Sequence, residues 1–221
     1  MENRRMPFKP LQKNPRRPPP SRLDYFRAIF LSVPEEVNWL SWAGRVLVYV
    51  ILVIWGFGFI FHSVESNYVG ESFLHNVDLV FHEAGHILFS PFGRFIQMLG
   101  GSLGQLLIPA LVMGAFLLKN RDAFGASVGL WWIAQNFMDL APYINDARDL
   151  DLILLGGVTG KDLAEGHDWE YLLGHLNLLT WDHRLAHGAH YLGALLMLTA
   201  LVWGAYMLWR QLQKAKSSPQ W

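Results

Sequence analysis

VLVYVILVIWGFGFIF, residues 46–61, is an unbroken apolar run. Adding Trp42–Arg45 brings it to about 20 residues, the length of helix that spans a bilayer core. Trp42 and Arg45 suit the headgroup level. The next segment, His62–Glu71, has no Lys or Arg and suits the outer side. Four more apolar segments follow: Phe73–Pro91, Leu103–Leu118, Ala123–Leu140 and Tyr191–Trp209. The expected fold is therefore an all-α, polytopic transmembrane helix bundle of about five spans. An odd number of spans starting inside sends the basic tail (Arg210, Lys214, Lys216) outside, against the charge rule. A re-entrant segment, or a further membrane segment at Trp169–Trp181, would restore the parity.

Composition agrees. Hydrophobic residues make up 52% of the 221 and charged residues 16%, against about 25% charged in a soluble domain. Net charge is zero but unevenly placed. Residues 1–45 hold nine Lys/Arg and four Asp/Glu, whereas residues 142–188 hold three and eight. There is no cysteine, so disulfides and thiolate metal sites are excluded, and any metal must be held by His and carboxylates.

The basic, proline-rich start (Arg4, Arg5, Lys9, Lys13, Arg16, Arg17, Pro18–Pro20, Arg22) cannot bury a core. Residues 1–28 are expected to form a disordered cytoplasmic arm and 29–221 a single transmembrane domain. A nucleic-acid-binding arm is the other reading of such charge, but the membrane run downstream already explains it, so no nucleic-acid partner is expected. The setting expected is a bacterial inner membrane, with the bilayer itself as partner.

Within Phe73–Pro91 stands His82-Glu83-Ala84-Gly85-His86. On a helix, residues four apart share a face, so His82 and His86 can bind one metal ion. Glu83 can reach a water on that ion, whose acidity a zinc ion raises until hydroxide forms near neutral pH. Glu83 would take the proton and pass it to a leaving amine. His75 and Asp78 fall on the same stripe, and Asp78, one turn before His82, could hold that imidazole's other nitrogen. Ionisable groups at membrane depth usually mark function. The plainer alternative is a polar helix face with no metal.

Two histidines leave a zinc site one protein ligand short. The candidate region is Asn136–Ala147, where Asn136, Asp139, Tyr143 and Asp146 lie on one face and Pro142 should break or kink the helix.

At these residues the chain resembles the site-2 protease class of intramembrane zinc metalloproteases. That class carries His-Glu-x-x-His in one membrane helix and a later Asn-x-x-Pro-x-x-x-x-Asp-Gly element. The resemblance covers roughly residues 73–152, including glycines Gly100, Gly101 and Gly104. It implies zinc held by His82, His86 and Asp146, with Glu83 as general base. The chain departs from the pattern in three ways: Asp139 stands for Asn, the Pro142–Asp146 spacing is one residue short, and Ala147 replaces Gly. Asp146 is preferred over Asp139 as the third ligand.

His167, His175, His183, His187 and His190 crowd the last third beside Asp168, Glu170 and Asp182. They read as an interfacial helix followed by solvated histidines, as further metal ligands, or as an acid- or substrate-sensing surface. Asp168-Trp169 reads as an N-cap and helix start.

The function expected is a zinc metalloendopeptidase acting on a membrane-spanning or membrane-adjacent protein or peptide. A non-proteolytic metal transporter or sensor would use the same residues but could dispense with Glu83. A hydrolase of lipid amides or esters would share the metal chemistry. Two His and a carboxylate also suit non-haem iron, and the Glu between the histidines tilts the choice to zinc.

Overall fold

The computed structural model describes residues 21–34, 37–162 and 167–217. Seven helices follow in order: α1 (Arg22–Phe30), α2 (Trp39–Phe61), α3 (Phe73–Phe89), α4 (Arg94–Leu118), α5 (Ala123–Asn145), α6 (Asp168–His175) and α7 (Asp182–Ser217). The described residues form no strand, only an isolated bridge between Ile153 and Thr159. The basic arm at 1–20 lies outside them. Residues 22–28, assigned to that arm from sequence, are helical, because Ser21 and Asp24 close a reciprocal capping box.

The all-helical expectation holds, and among the described residues three stretches are long and apolar enough to cross a membrane: Trp39–Phe61, Arg94–Leu118 and Leu179–Ser217. Helix α3 has 17 residues, interrupted by His75, Asn76, Asp78, His82 and Glu83. Helix α5 is buried along most of its length and carries Gln135, Asn136 and Asp139 inward. It also runs through Pro142 to Asn145 rather than breaking at the proline.

Helix α5 is the hub, flanked by α4 and α7, with α2 packed across α7 and α5. Phe59, Trp131, Ala134, Met138, Met197 and Leu201 form the apolar core between α2, α5 and α7. Polar tips of core aromatics are satisfied by main-chain carbonyls: Trp131 Nε1 donates to Leu52 O at 3.1 Å and Tyr49 Oη to Leu201 O at 3.1 Å.

Helix α4 begins at Arg94, so Gly100, Gly101 and Gly104 lie inside it. They serve close packing. A Cβ at Gly85 would strike the Gly100 carbonyl, and one at Gly104 would strike the Phe81 carbonyl. Small residues at this spacing let two membrane-type helices approach backbone to backbone. The tight turn between α3 and α4 uses Gly93 at φ 89°, a conformation open to glycine.

The bundle has two distinct ends. At one, Arg45 forms a two-pronged ion pair with Asp122 (2.9 and 3.0 Å), Trp42 Nε1 donates to Leu208 O (3.1 Å) and Arg210 to Leu31 O (2.7 Å). At the other, Glu65 meets His187 (3.2 Å), Asn145 meets His183 (2.6 Å) and Arg148 meets Asp182 (2.6 Å). Helices α2, α5 and α7 run from end to end, and α4 runs antiparallel to α5. Helix α3 starts just after Glu71 and finishes beside the start of α4, so both its termini belong to the second end.

Candidate metal centre

Helix spacing puts His82 and His86 on one face of α3, against α4. Gly101 sits directly behind them, and a Cβ there would overlap both imidazoles. His82 Nδ1 lies 2.7 Å from Gln105 Oε1 and His86 Nδ1 lies 2.8 Å from the Gln97 carbonyl.

These contacts fix the tautomers. Gln105 Nε2 donates to Asn136 Oδ1 (3.1 Å) and Asp139 Oδ2 (3.4 Å). Asn136 Nδ2 donates to Asp78 Oδ1 (3.2 Å) and the Trp132 carbonyl (3.0 Å). A carboxylate and a main-chain carbonyl can only accept, so neither amide can be flipped. Gln105 therefore presents oxygen to His82, and both Nδ1 atoms must donate. Neutral His82 and His86 then carry their lone pairs on Nε2.

Both Nε2 atoms face the same oxygen: Asp168 Oδ2 lies 2.9 Å from His82 Nε2 and 3.1 Å from His86 Nε2. Asp168 opens α6, which is anchored by buried Leu172 and Leu173 and by Arg94 stacked 5.1 Å over Tyr171. Asp168 N donates to Tyr143 Oη at 3.0 Å. Burial pushes the Asp168 carboxyl up, and the hydrogen bonds and charge that His82 and His86 supply when protonated more than offset it, leaving the group below its ordinary range. Among the described residues, His82, His86 and Asp168 are the one set of three His or carboxylate groups able to hold a single ion.

The structure places the other predicted residues elsewhere. Asp146, expected as third ligand, ends α5 and accepts from Asp151 N (2.9 Å) and Leu152 N (3.0 Å), with His167 Nε2 3.4 Å away. His167 is the N-cap of α6, its Nδ1 accepting from Glu170 N at 3.1 Å, so Asp168 is the first helical residue and not the cap. Burial pushes the His167 imidazole below its usual range despite Asp146 and Asp168 nearby. Asp139 pairs with His75 at 2.9 Å. Asp78 does not hold His82. It accepts from Trp132 Nε1 at 2.8 Å, and Gln105 takes the expected role. Nothing in spacing marks Asp168, far along the chain. The available signal was a carboxylate heading a short amphipathic helix beside a histidine.

Glu83 lines the same cavity, about 620 Å³ in volume, as His82, His86, Tyr143 and Asp168. It has no hydrogen-bond or ion-pair partner among the described residues. The loop Leu152–Gly156 forms one wall. No protein-family model, curated protein or solved structure matches the chain.

Proposed function

We propose that this protein is a membrane-embedded metallopeptidase whose centre is His82, His86 and Asp168, with Glu83 as general base. One observation carries the reading: the Nε2 atoms of two imidazoles whose Nδ1 atoms are held elsewhere converge on one carboxylate oxygen at 2.9 and 3.1 Å, and with both imidazoles neutral all three atoms are acceptors. Such a cluster is repulsive unless a cation or a proton sits among the three. Two histidines and a carboxylate, with one position left for water, are a catalytic zinc ligand set. When bound, zinc supplies a Lewis acid that makes water acidic near neutral pH.

The chain's own residues account for the remainder. Gln105 and the Gln97 carbonyl hold the imidazoles in the ligating tautomer. Tyr143 holds the main chain of Asp168. Glu83, unpaired at the cavity wall, takes the proton of the attacking water and returns it to the leaving amine. The preference for a peptide bond follows the resemblance of the His82–His86 helix to site-2 proteases.

The test is zinc content and peptide hydrolysis by detergent-purified protein, wild type beside Glu83→Gln. One zinc in each, with hydrolysis lost only in the variant, supports the reading. A wild type that takes up no zinc from added salt overturns it. A Glu83→Gln protein as active as wild type overturns Glu83's role.

A further inference from the structure

We infer that the metal centre opens on the extracytoplasmic side of the membrane, so that it acts on extracytoplasmic segments of its substrates. Four helices cross, the three long apolar ones α2, α4 and α7 together with α5, which is buried among them, while α3 enters and leaves from the outer side. The substrate side rests on the peptidase reading above, but the sidedness does not.

Three observations carry it. First, the ends are tied. Arg45–Asp122 and Trp42–Leu208 place the start of α2, the α4–α5 turn and the end of α7 together, and Glu65–His187 with Asn145–His183 gathers the opposite ends. Four crossings follow, with both ends of the described chain on one face. This removes the parity conflict that five spans create.

Second, the faces differ in charge. Arg22, Arg27, Lys119, Arg121, Arg210, Lys214 and Lys216 lie with Arg45 at the first end, and in sequence the basic run of residues 4–17 precedes Arg22. The second end holds Arg94, Arg148, Lys161 and Arg184 among Glu65, Glu71, Asp149, Asp151, Asp162, Glu170 and Asp182. An excess of Lys and Arg near span ends marks the cytoplasmic face.

Third, the cavity is lined by loops of the second end. Asn67 and Gly70 come from the α2–α3 connection and Leu152–Gly156 from the α5–α6 connection. No residue of the α4–α5 turn lines it. Where Asp78 and Phe81 of α3 meet α5 they reach Trp132, near the middle of that helix. The ligands therefore sit in the half of the bundle away from the basic face.

The chain has no cysteine, so single cysteines can report sidedness in the full-length protein. Ser63→Cys and Leu155→Cys probe the site end, Asn120→Cys and Ser217→Cys the basic end, all at exposed positions. In whole cells, a membrane-impermeant maleimide should label the first pair fully and the second pair only after permeabilisation. The reverse pattern, or all four alike, overturns the proposal. In parallel, a single-span reporter carries a peptide loop on one side of the membrane or the other. Cleavage confined to the extracytoplasmic loop, and absent with Glu83→Gln, is expected, and cleavage of the cytoplasmic loop overturns the substrate side. If neither loop is cut while labelling follows the expected pattern, the peptidase reading fails and the sidedness stands.

Discussion

Two groups of histidines sit at the same end of this bundle, and they differ in where their nitrogens point. His82 and His86 turn Nδ1 toward fixed acceptors and aim Nε2 at one oxygen of Asp168. His183, His187 and His190 follow helical spacing just as well, yet His183 bonds Asn145, His187 meets Glu65, and His190 is buried apart from both. The first pair is held by the Gln105 amide and the Gln97 carbonyl, whereas His183 and His187 are half-buried and His190 is buried. Histidine density therefore does not locate a metal site. What marks a candidate is convergence of Nε2 atoms on one carboxylate oxygen while other groups hold Nδ1.

The sharpest way to break this contrast is to remove a converging ligand. Asp168→Ala or His86→Ala should reduce bound metal from one equivalent to none after gel filtration, read by elemental analysis. Retention of full metal in Asp168→Ala would remove it from the centre. Glu83→Gln should leave metal intact and lower turnover by about 10²–10⁴-fold, the range for a lost general base. A metal transporter would instead move ions unimpaired with Gln at 83, and that result would shift the whole reading.

The next effect tests whether tautomer control matters. Gln105→Leu removes the oxygen that His82 Nδ1 needs and leaves the ligands in place. Metal affinity should fall by about 10–100-fold, measured by competition with a chelator. An unchanged affinity would mean that His82 does not depend on Gln105 for its orientation.

The sequence made α3 and the pairing of His82 with His86 legible because they lie four residues apart on one helix, where spacing alone dictates a shared face. Asp168 was not legible. Its approach depends on α6 docking against α4 and α5, and a long-range contact leaves no periodic trace. Asp146 was preferred on a local pattern, but its carboxylate is consumed by the turn that follows α5, where two main-chain N–H groups compete for it. The glycines of α4 were visible as residues and obscure in role, since their use appears only once α3 lies against them. The number of spans was not legible for a related reason. An apolar average does not distinguish a helix facing lipid from α5, which faces other helices along most of its length.

Asp146 and Asp168 then form a pair of buried carboxylates with opposite expected consequences. Asp146→Ala should keep one equivalent of metal and lower stability by ~1–3 kcal/mol, the cost of stranding two main-chain donors, read by denaturation in detergent. Loss of metal in Asp146→Ala with retention in Asp168→Ala would restore the assignment implied by the family resemblance.

The smallest effect is expected where histidines are densest. His187 touches Glu65 across the end of the bundle, with both side chains substantially exposed at 40% and 56%. An exposed pair of this kind contributes at most about 1 kcal/mol, and often nothing measurable. His187→Ala should leave metal content unchanged and shift stability by less than about 1 kcal/mol. His183→Ala combined with it should do no more to the metal, since neither nitrogen points toward Asp168. If the double variant lost metal, the convergent site would be incomplete as drawn, and the last helix would have to move toward α3 when the ion binds.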